Sequence, residues 1–410
     1  MFYDHRISPL ALAECLHREP GFVWLDSPSG TLNGLSILAS NPDLVIEGGR
    51  GDWSRLDKEL ERRRRGASAS GLPDGAAIGY FRFDGSFCFG FYDSLHLHLP
   101  QGWLSPLKLR NPLSTEDKSK TAPDYLPKFL PEMDRESYLS MVRRAQDYIA
   151  AGDIYQVCLS HRFSSRFEGD PWPLYLALRK ASPAPHAAYV SLGGETLLSS
   201  SPECFLKMSE SRISTRPVKG TRPRRHDPIE DEREALELKN SPKENAELVM
   251  ITDLERNDLG RVCLYGSVKA TQLLHLERYA QVFHLVSTVE GRLRPEISHV
   301  HALDACFPGG SISGAPKKRA LEIIRALEPA PRGLFTGAIG YLGYNGESQF
   351  NIAIRTVVIR DGLAEFHVGA GITSGSIPEQ EWDETLHKAA GILQAAREGK
   401  VSEKVSGTGA

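Results

Sequence analysis

The sequence predicts an α+β fold in which antiparallel β-sheets pack together and are flanked by helices. Two observations carry that expectation. Strand-like and helix-like segments come in groups rather than alternating one for one, which favours antiparallel sheets over a doubly wound parallel sheet. Pro106, Pro112, Pro123, Pro127 and Pro131 also fall within 26 mostly polar residues. Such a run reads as a linker between a short-stranded N-terminal region, 1–130, and a longer second domain, 134–397. Residues 398–410 read as a flexible tail.

In the first region Phe22–Leu25, Leu35–Leu38 and Ala77–Phe81 are apolar runs bounded by Gly, Pro, Ser and Asn, the mark of short strands. A helix is expected around Trp53–Arg65. In the second, Asp134 can cap a helix running to about Ala151, with Gly152 as its stop. Ile154–Phe163 then alternates as a strand, with Gln156, Cys158 and Ser160 on one face. Further strands are expected at Ala187–Leu192, Thr196–Ser200, Cys204–Met208, Arg212–Val218, Ala338–Tyr344, Phe350–Ile359 and Ala364–Val368. Helices are expected at Pro228–Leu238, Pro242–Leu259, Ala315–Leu327 and Pro378–Arg397.

Composition narrows the function classes. The 410 residues are 40% hydrophobic and 25% charged with a net charge of −3, ordinary for a globular protein and no invitation to nucleic acid. The basic run Arg62–Arg65 follows an acidic stretch and reads as a solvated helix end. Six cysteines without a Cys-x-x-Cys pair argue against zinc and against a disulfide framework. No run of 18 apolar residues and no apolar signal core appear, so neither a membrane span nor a leader is expected, and a reducing, cytoplasmic setting is.

Several residues stand out as chemistry. Lys219 lies between Val218 and Gly220, at what reads as a strand's exit. The flanking Arg216 and Arg222 would disfavour its ammonium form and favour a nucleophilic amine, against the plain alternative of a solvated lysine. Ser241 and Pro242 open a helix on which Glu244 and Glu247 share a face, and Glu381 and Glu384 repeat that spacing on another. Either pair alone is a solvated helix face; all four converging would make an oxygen-only site suited to Mg²⁺. Gly309–Lys317 is a glycine-rich loop running into a helix at Pro316, open to an anion but lacking the lysine of a phosphate loop. Gly369 and Gly371 offer bare backbone after a strand. His284 is an acid/base candidate or a core histidine. Arg355, ending an apolar run, needs an acidic partner from the protein or a ligand carboxylate. Glu203, in apolar surroundings, suits general-acid work.

Taken together, these motifs resemble the chorismate-binding enzymes: anthranilate, aminodeoxychorismate, isochorismate and salicylate synthases. The resemblance runs over about residues 136–395. It is carried by Ser201-Pro202-Glu203, Glu244 and Glu247 leading into Asp253–Asp258, and His284–Ser287. Ser311–Lys317, Gly340-Tyr341, Ile354-Arg355, Gly369–Gly371 and Asp383–Thr385 with Lys388 continue it. Two positions sort the reaction within the family. Water-using members carry a catalytic lysine where this chain has Gln156, so ammonia is the implied nucleophile. Anthranilate synthases carry alanine where this chain has Lys219, and a lysine there resembles aminodeoxychorismate synthase component I. Leu25-Asp26-Ser27 and Leu35–Pro42 also resemble that subunit, in a region shorter than usual.

The resemblance implies roles. Glu203 would protonate the departing C4 hydroxyl of chorismate, Lys219 would bond to C2, and ammonia would then displace it. Glu247 and Glu384 would hold Mg²⁺ at the ring carboxylate, supported by Glu244 and Glu381. Tyr341, Arg355 and the Gly371 amide would hold the enolpyruvyl carboxylate. Ser311, Thr221, Gln156, Gly369 and Lys388 would complete the pocket, and His284 would sit near the ring. No cysteine lies in the Gly-x-Cys-x-Gly turn of a glutamine amidotransferase; Cys88 comes nearest. A separate glutaminase subunit is therefore the expected ammonia source.

Overall fold

The computed structural model describes residues 7–27, 34–66, 71–105, 126–279 and 282–398. Among them, two antiparallel sheets of eleven and ten strands pack together with helices outside. The first sheet runs Gly314–Ala315, Gln156–Arg166, Leu363–Ile372, Thr356–Arg360, Glu195–Ser201, His186–Leu192, Val23–Asp26, Ser36–Ala39, His96–Leu99 and Gly102–Leu104, with Leu130–Pro131 beside Gln156–Arg166. The second runs Val218–Pro223, Val282–Arg292, Arg212–Arg216, Cys204–Ser209, Glu347–Asn351, Ala338–Gly343, Ala76–Phe81, Phe87–Tyr92 and Leu44–Gly48, with Lys269–Arg278 beside Val282–Arg292. Residues on the two sides of the proline-rich stretch share both sheets: Val23 pairs with Val190, and Phe81 with Ala338. One apolar cluster joins Val23, Val190 and Leu197 of the first sheet to Ile78, Tyr80 and Ile339 of the second. Pro106, Pro112 and Pro123, like the tail from 399 on, lie outside the described residues.

Two neighbouring segments cross between the sheets, and both are functionally placed. Glu195–Ser201 passes through Pro202 and Glu203 into Cys204–Ser209 of the other sheet. Glu347–Asn351 passes through Ile352–Arg355 into Thr356–Arg360, going the other way. The expected single strand Phe350–Ile359 is therefore two, broken where Arg355 adopts φ 50°. The crossings hold each other. Ser201 Oγ donates to the Ile352 carbonyl at 2.6 Å, Ile352 N–H to the Glu203 carbonyl at 3.0 Å, and Ser200 N–H to the Arg355 carbonyl at 3.1 Å. Backbone groups leaving their ladders are thus paired, as burial requires.

Helix starts follow their caps. Asp134 accepts from Ser137 N–H at 2.8 Å, and the helix Arg135–Ala150 ends before Gly152 at φ 80°. Ser241 accepts from Glu244 N–H to begin Pro242–Gly260. The helix expected from Ala315 starts at Lys317 instead, because Ala315 pairs with Gln156 as the edge of the first sheet. The Lys317 ammonium turns back onto Asp258 at 2.5 Å and the Cys306 and Pro308 carbonyls. The run Arg62–Arg65 is paired with acids, Arg62 and Arg63 with Glu59 and Arg64 with Glu61. All six cysteines are free.

Candidate active site

A cavity of about 710 Å³ opens beside the two crossings, and Glu203, Lys219, Glu247, His284, Ser311 and Arg355 line it. Lys219 reaches it from inside the strand Val218–Pro223, not from a strand's exit. The register slips between Lys219 and Thr221, where Gly220 takes φ 71°, and such a bulge re-aims the side chain next to it. The guanidiniums expected to crowd Lys219 are engaged elsewhere, Arg216 with Glu277 and Arg222 with the Thr221 carbonyl. A carboxylate oxygen, Glu247 Oε2, lies 3.9 Å from Lys219 Nζ.

Glu203 is buried, its Oε1 without a hydrogen-bond partner among the described residues. Burial pushes its carboxyl above the usual range. Ser311 and the Lys219 and Lys388 ammoniums temper that rise, although the Ser311 hydroxyl, itself unpartnered, is not in hydrogen-bond geometry. Arg355 has no carboxylate within ion-pair distance among the described residues; burial lowers its pKa, and Glu203 opposes that. Of the two expected partners, an internal carboxylate is not found at ion-pair distance among the described residues, and a ligand carboxylate is the other. Thr221 Oγ1 lies 3.0 Å from His284 Nδ1, and burial, then Arg355, hold His284 down at about 4, a neutral imidazole at pH 7.

Gly369 and Gly371 form the floor. A Cβ on Gly371 would lie 2.5 Å from Gln156 Nε2 and 3.7 Å from Lys219 Nζ, so Gln156 lies against Gly371 near Lys219 without lining the cavity. Lys388 donates to the Gly369 carbonyl at 2.8 Å and pairs with Glu384 at 2.6 Å.

Glu244, Glu247 and Glu384 all line the cavity. Burial raises Glu247 against the pull of Lys219 and Lys243, with Glu244 and Glu384 adding to the rise. Burial would also raise Glu384, but Lys388, Lys219 and Lys243 outweigh it and hold the group below its ordinary value. Among the described residues no three His, Cys, Asp or Glu side chains come close enough to cage a metal. Mg²⁺ asks for less: one or two carboxylates plus substrate oxygens and water. Glu247 Oε1, buried without a partner, fits that requirement.

Two expected residues are elsewhere. Tyr341 lines a neighbouring cavity of about 100 Å³ with Asp26, Ser27 and Arg216, and Pro202 and Val218 border both spaces. Its strand, Ala338–Gly343, lies in the second sheet, away from the floor strands. Glu381 is buried one helical turn from Glu384 and is not on the cavity wall. Three residues escaped the sequence reading. Lys243 lines the cavity beside Glu244. His367 shares a strand face with Gly369 and Gly371, a period-two signal that was available. Glu255, behind the wall, continues the helix face of Leu248 and Ile251 and is pushed up to about 8 by burial and then by Glu203.

A family model described as chorismate binding enzyme matches residues 22–394. The chain belongs to this family. Anthranilate synthase component 1 of Thermus thermophilus is 48% identical over 268 residues, 65% of this chain and 58% of that one. Aminodeoxychorismate synthase component 1 of Bacillus subtilis is 41% identical over 297 residues, 72% of this chain and 62% of that one. The chain thus spans a little over half the length of the curated relatives it matches. A crystal structure of anthranilate synthase component I from Streptococcus pneumoniae superposes with a TM-score of 0.77 at 28% identity, covering 96% of this chain and 99% of that one. The antiparallel α+β architecture expected from the sequence is the family's. No helix among the described residues is long and apolar enough to cross a membrane.

Proposed function

We propose that the chain acts as aminodeoxychorismate synthase component I, converting chorismate and ammonia to 4-amino-4-deoxychorismate. The observation that carries this reading is the placement of Lys219 Nζ in the cavity, over Gly371 and 3.9 Å from Glu247. Arg355 and the Gly371 amide hold the enolpyruvyl carboxylate. Glu203, whose protonated form burial favours, gives its proton to the C4 hydroxyl as that group leaves as water. The Lys219 amine forms a bond to C2 as the two conjugated ring double bonds shift toward C4 and the C4–oxygen bond breaks. Ammonia then bonds to C4, both double bonds return, and the C2–nitrogen bond breaks to release the lysine as the free amine. The new C4 ammonium returns a proton to the Glu203 carboxylate. Glu247 and Glu384, supported by Glu244, would hold Mg²⁺, which neutralises charge at the ring carboxylate when bound. His284 and Thr221 flank the ring, and Ser311 and Lys388 close its sides. Ammonia comes from a separate glutaminase subunit, in a cytoplasmic setting.

Anthranilate synthase component I is the second reading, favoured by the 48% identity of the Thermus thermophilus relative. A non-catalytic chorismate-binding subunit is a third. Incubation with chorismate, Mg²⁺ and an ammonium salt separates them. The 4-amino product is expected; fluorescent anthranilate as the main product overturns the proposal, and binding without turnover leaves the third.

A further inference from the structure

His367 is buried, and both its ring nitrogens lack a hydrogen-bond partner among the described residues. Glu203 Oε1, Glu247 Oε1 and the Ser311 hydroxyl, all on the same cavity wall, share that condition. Unsatisfied buried groups are costly, so they persist where a ligand satisfies them. Nothing in the mechanism above uses His367. Phe335 stacks on its ring with centroids 5.4 Å apart and fixes its plane.

Position along the strand limits what His367 can touch. It shares a face with Gly369 and Gly371, four residues from the latter, so the two lie roughly 13 Å apart at ~3.4 Å per residue. A ring held between Lys219 and Gly371 leaves His367 at the far end of this strand face, because Cys158 is the register partner of Gly371 and Arg162 that of His367. The charges facing it are already spent. Arg162 pairs with Glu132 and Glu365, and Arg332 with Glu328. No carboxylate is left there to attract a cation. Burial, then Arg162, Arg332 and His161, hold the imidazole at about 3, so it stays neutral, with one N–H and one lone pair.

We infer that His367 is the docking point for neutral ammonia at the far end of the cavity, its lone pair accepting an ammonia N–H. The inference rests on the proposed ammonia-dependent reaction. The acceptor is neutral, and its burial among guanidiniums disfavours a charged ammonium, so the guest is NH₃ with its own lone pair available.

The test is steady-state kinetics of the full chain with ammonium chloride and chorismate varied separately at one alkaline pH. For His367→Phe the KM for ammonia should rise about three- to tenfold, the worth of one hydrogen bond, while the KM for chorismate stays that of the parent. His367→Gln, which carries a donor and an acceptor, should restore most of the loss. An unchanged ammonia KM in a folded variant, or an equal rise in the chorismate KM, overturns the inference. Should the Phe variant not fold, His367→Ala is measured with the same expected and overturning results. Failure of the functional reading shows separately, as a parent enzyme that makes no 4-amino product.

Discussion

Lys219 Nζ stands 3.9 Å from Glu247 Oε2, near enough for charge to act and too far for a hydrogen bond. The amine is therefore held electrostatically without being tied to one acceptor. Lys219→Ala should lower formation of the 4-amino product by more than about 100-fold, because losing a nucleophile removes a route rather than weakening one. Lys219→Arg keeps the positive charge beside Glu247 and should be as inactive. Intact-protein mass spectrometry should find a substrate-linked species in the parent and in neither variant. Activity retained by the arginine variant would reduce Lys219 to a charge.

The two floor glycines separate folding from function. At Gly371 an added Cβ meets the Gln156 amide nitrogen at 2.5 Å, a side chain that can move. At Gly369 it meets the Leu159 carbonyl at 2.6 Å, backbone in the neighbouring strand. Gly371→Ala should fold with a near-parental melting temperature yet lose chorismate binding, since the displaced amide and the methyl occupy the site. Gly369→Ala should lower the melting temperature or fail to fold. Calorimetry and chorismate titration on both variants check the contrast.

Much of this was legible in the sequence where a local pattern decides it. Capping residues such as Asp134 and Ser241 start their helices as expected, and Gln156 lies on its expected strand, whereas Gly369 and Gly371, expected after a strand, lie inside Leu363–Ile372. What local pattern cannot encode is where a strand changes sheets. Asn351–Ile354 reads as continuous apolar strand, yet the chain crosses there, and the crossing is what brings Arg355 to the cavity. Tyr341 shows a related limit: its strand is clear and stays in one sheet, but its place on the smaller cavity depends on long-range pairing. The environment of Lys219 depended on long-range partners, Glu277 and Glu247, that no spacing reveals.

Glu255 links the site to stability. Its carboxyl is buried, accepts from Thr215 Oγ1 at 2.9 Å, and is faced by Glu203, Asp258 and Lys317. Burial and then Glu203 raise it from 4.5 to about 8. The folded chain therefore holds a proton there that the unfolded chain has lost between those two values. Its contribution is fully present below about 4.5 and declines as pH rises to about 8. Glu255→Gln, which keeps an acceptor for Thr215 and cannot ionise, should shrink the drop in melting temperature on going from mildly acidic to alkaline buffer. An identical pH dependence in parent and variant would refute it.

Metal dependence follows from the carboxylates. A chelator should abolish turnover, and Mg²⁺ should restore it. Glu247→Gln should raise the Mg²⁺ needed for half-maximal activity, because a neutral amide is a poorer ligand for a hard cation. The same substitution in the absence of metal should stabilise the fold, since it removes a buried like-charge neighbour of Glu244 and Glu384. Mg²⁺-titrated activity and melting curves with and without chelator measure the two effects.

Arg355 carries the sharpest conflict between folding and function. Its guanidinium is largely buried, without an ion-pair partner among the described residues, on backbone at φ 50°. An uncompensated buried cation and a left-handed non-glycine residue both cost stability, and they persist where a ligand supplies the missing charge. Arg355→Met removes the charge and keeps the volume. Its melting temperature should rise by about 1–3 °C in the absence of substrate, while the KM for chorismate rises about 10- to 100-fold, the worth of a charged hydrogen bond. Arg355 is also the second cause, after burial, that holds His284 at about 4, so in the variant the His284 imidazole should titrate at a higher pH by NMR. A lower melting temperature would mean that the guanidinium is satisfied inside the protein, and the carboxylate clamp would then have to be sought elsewhere.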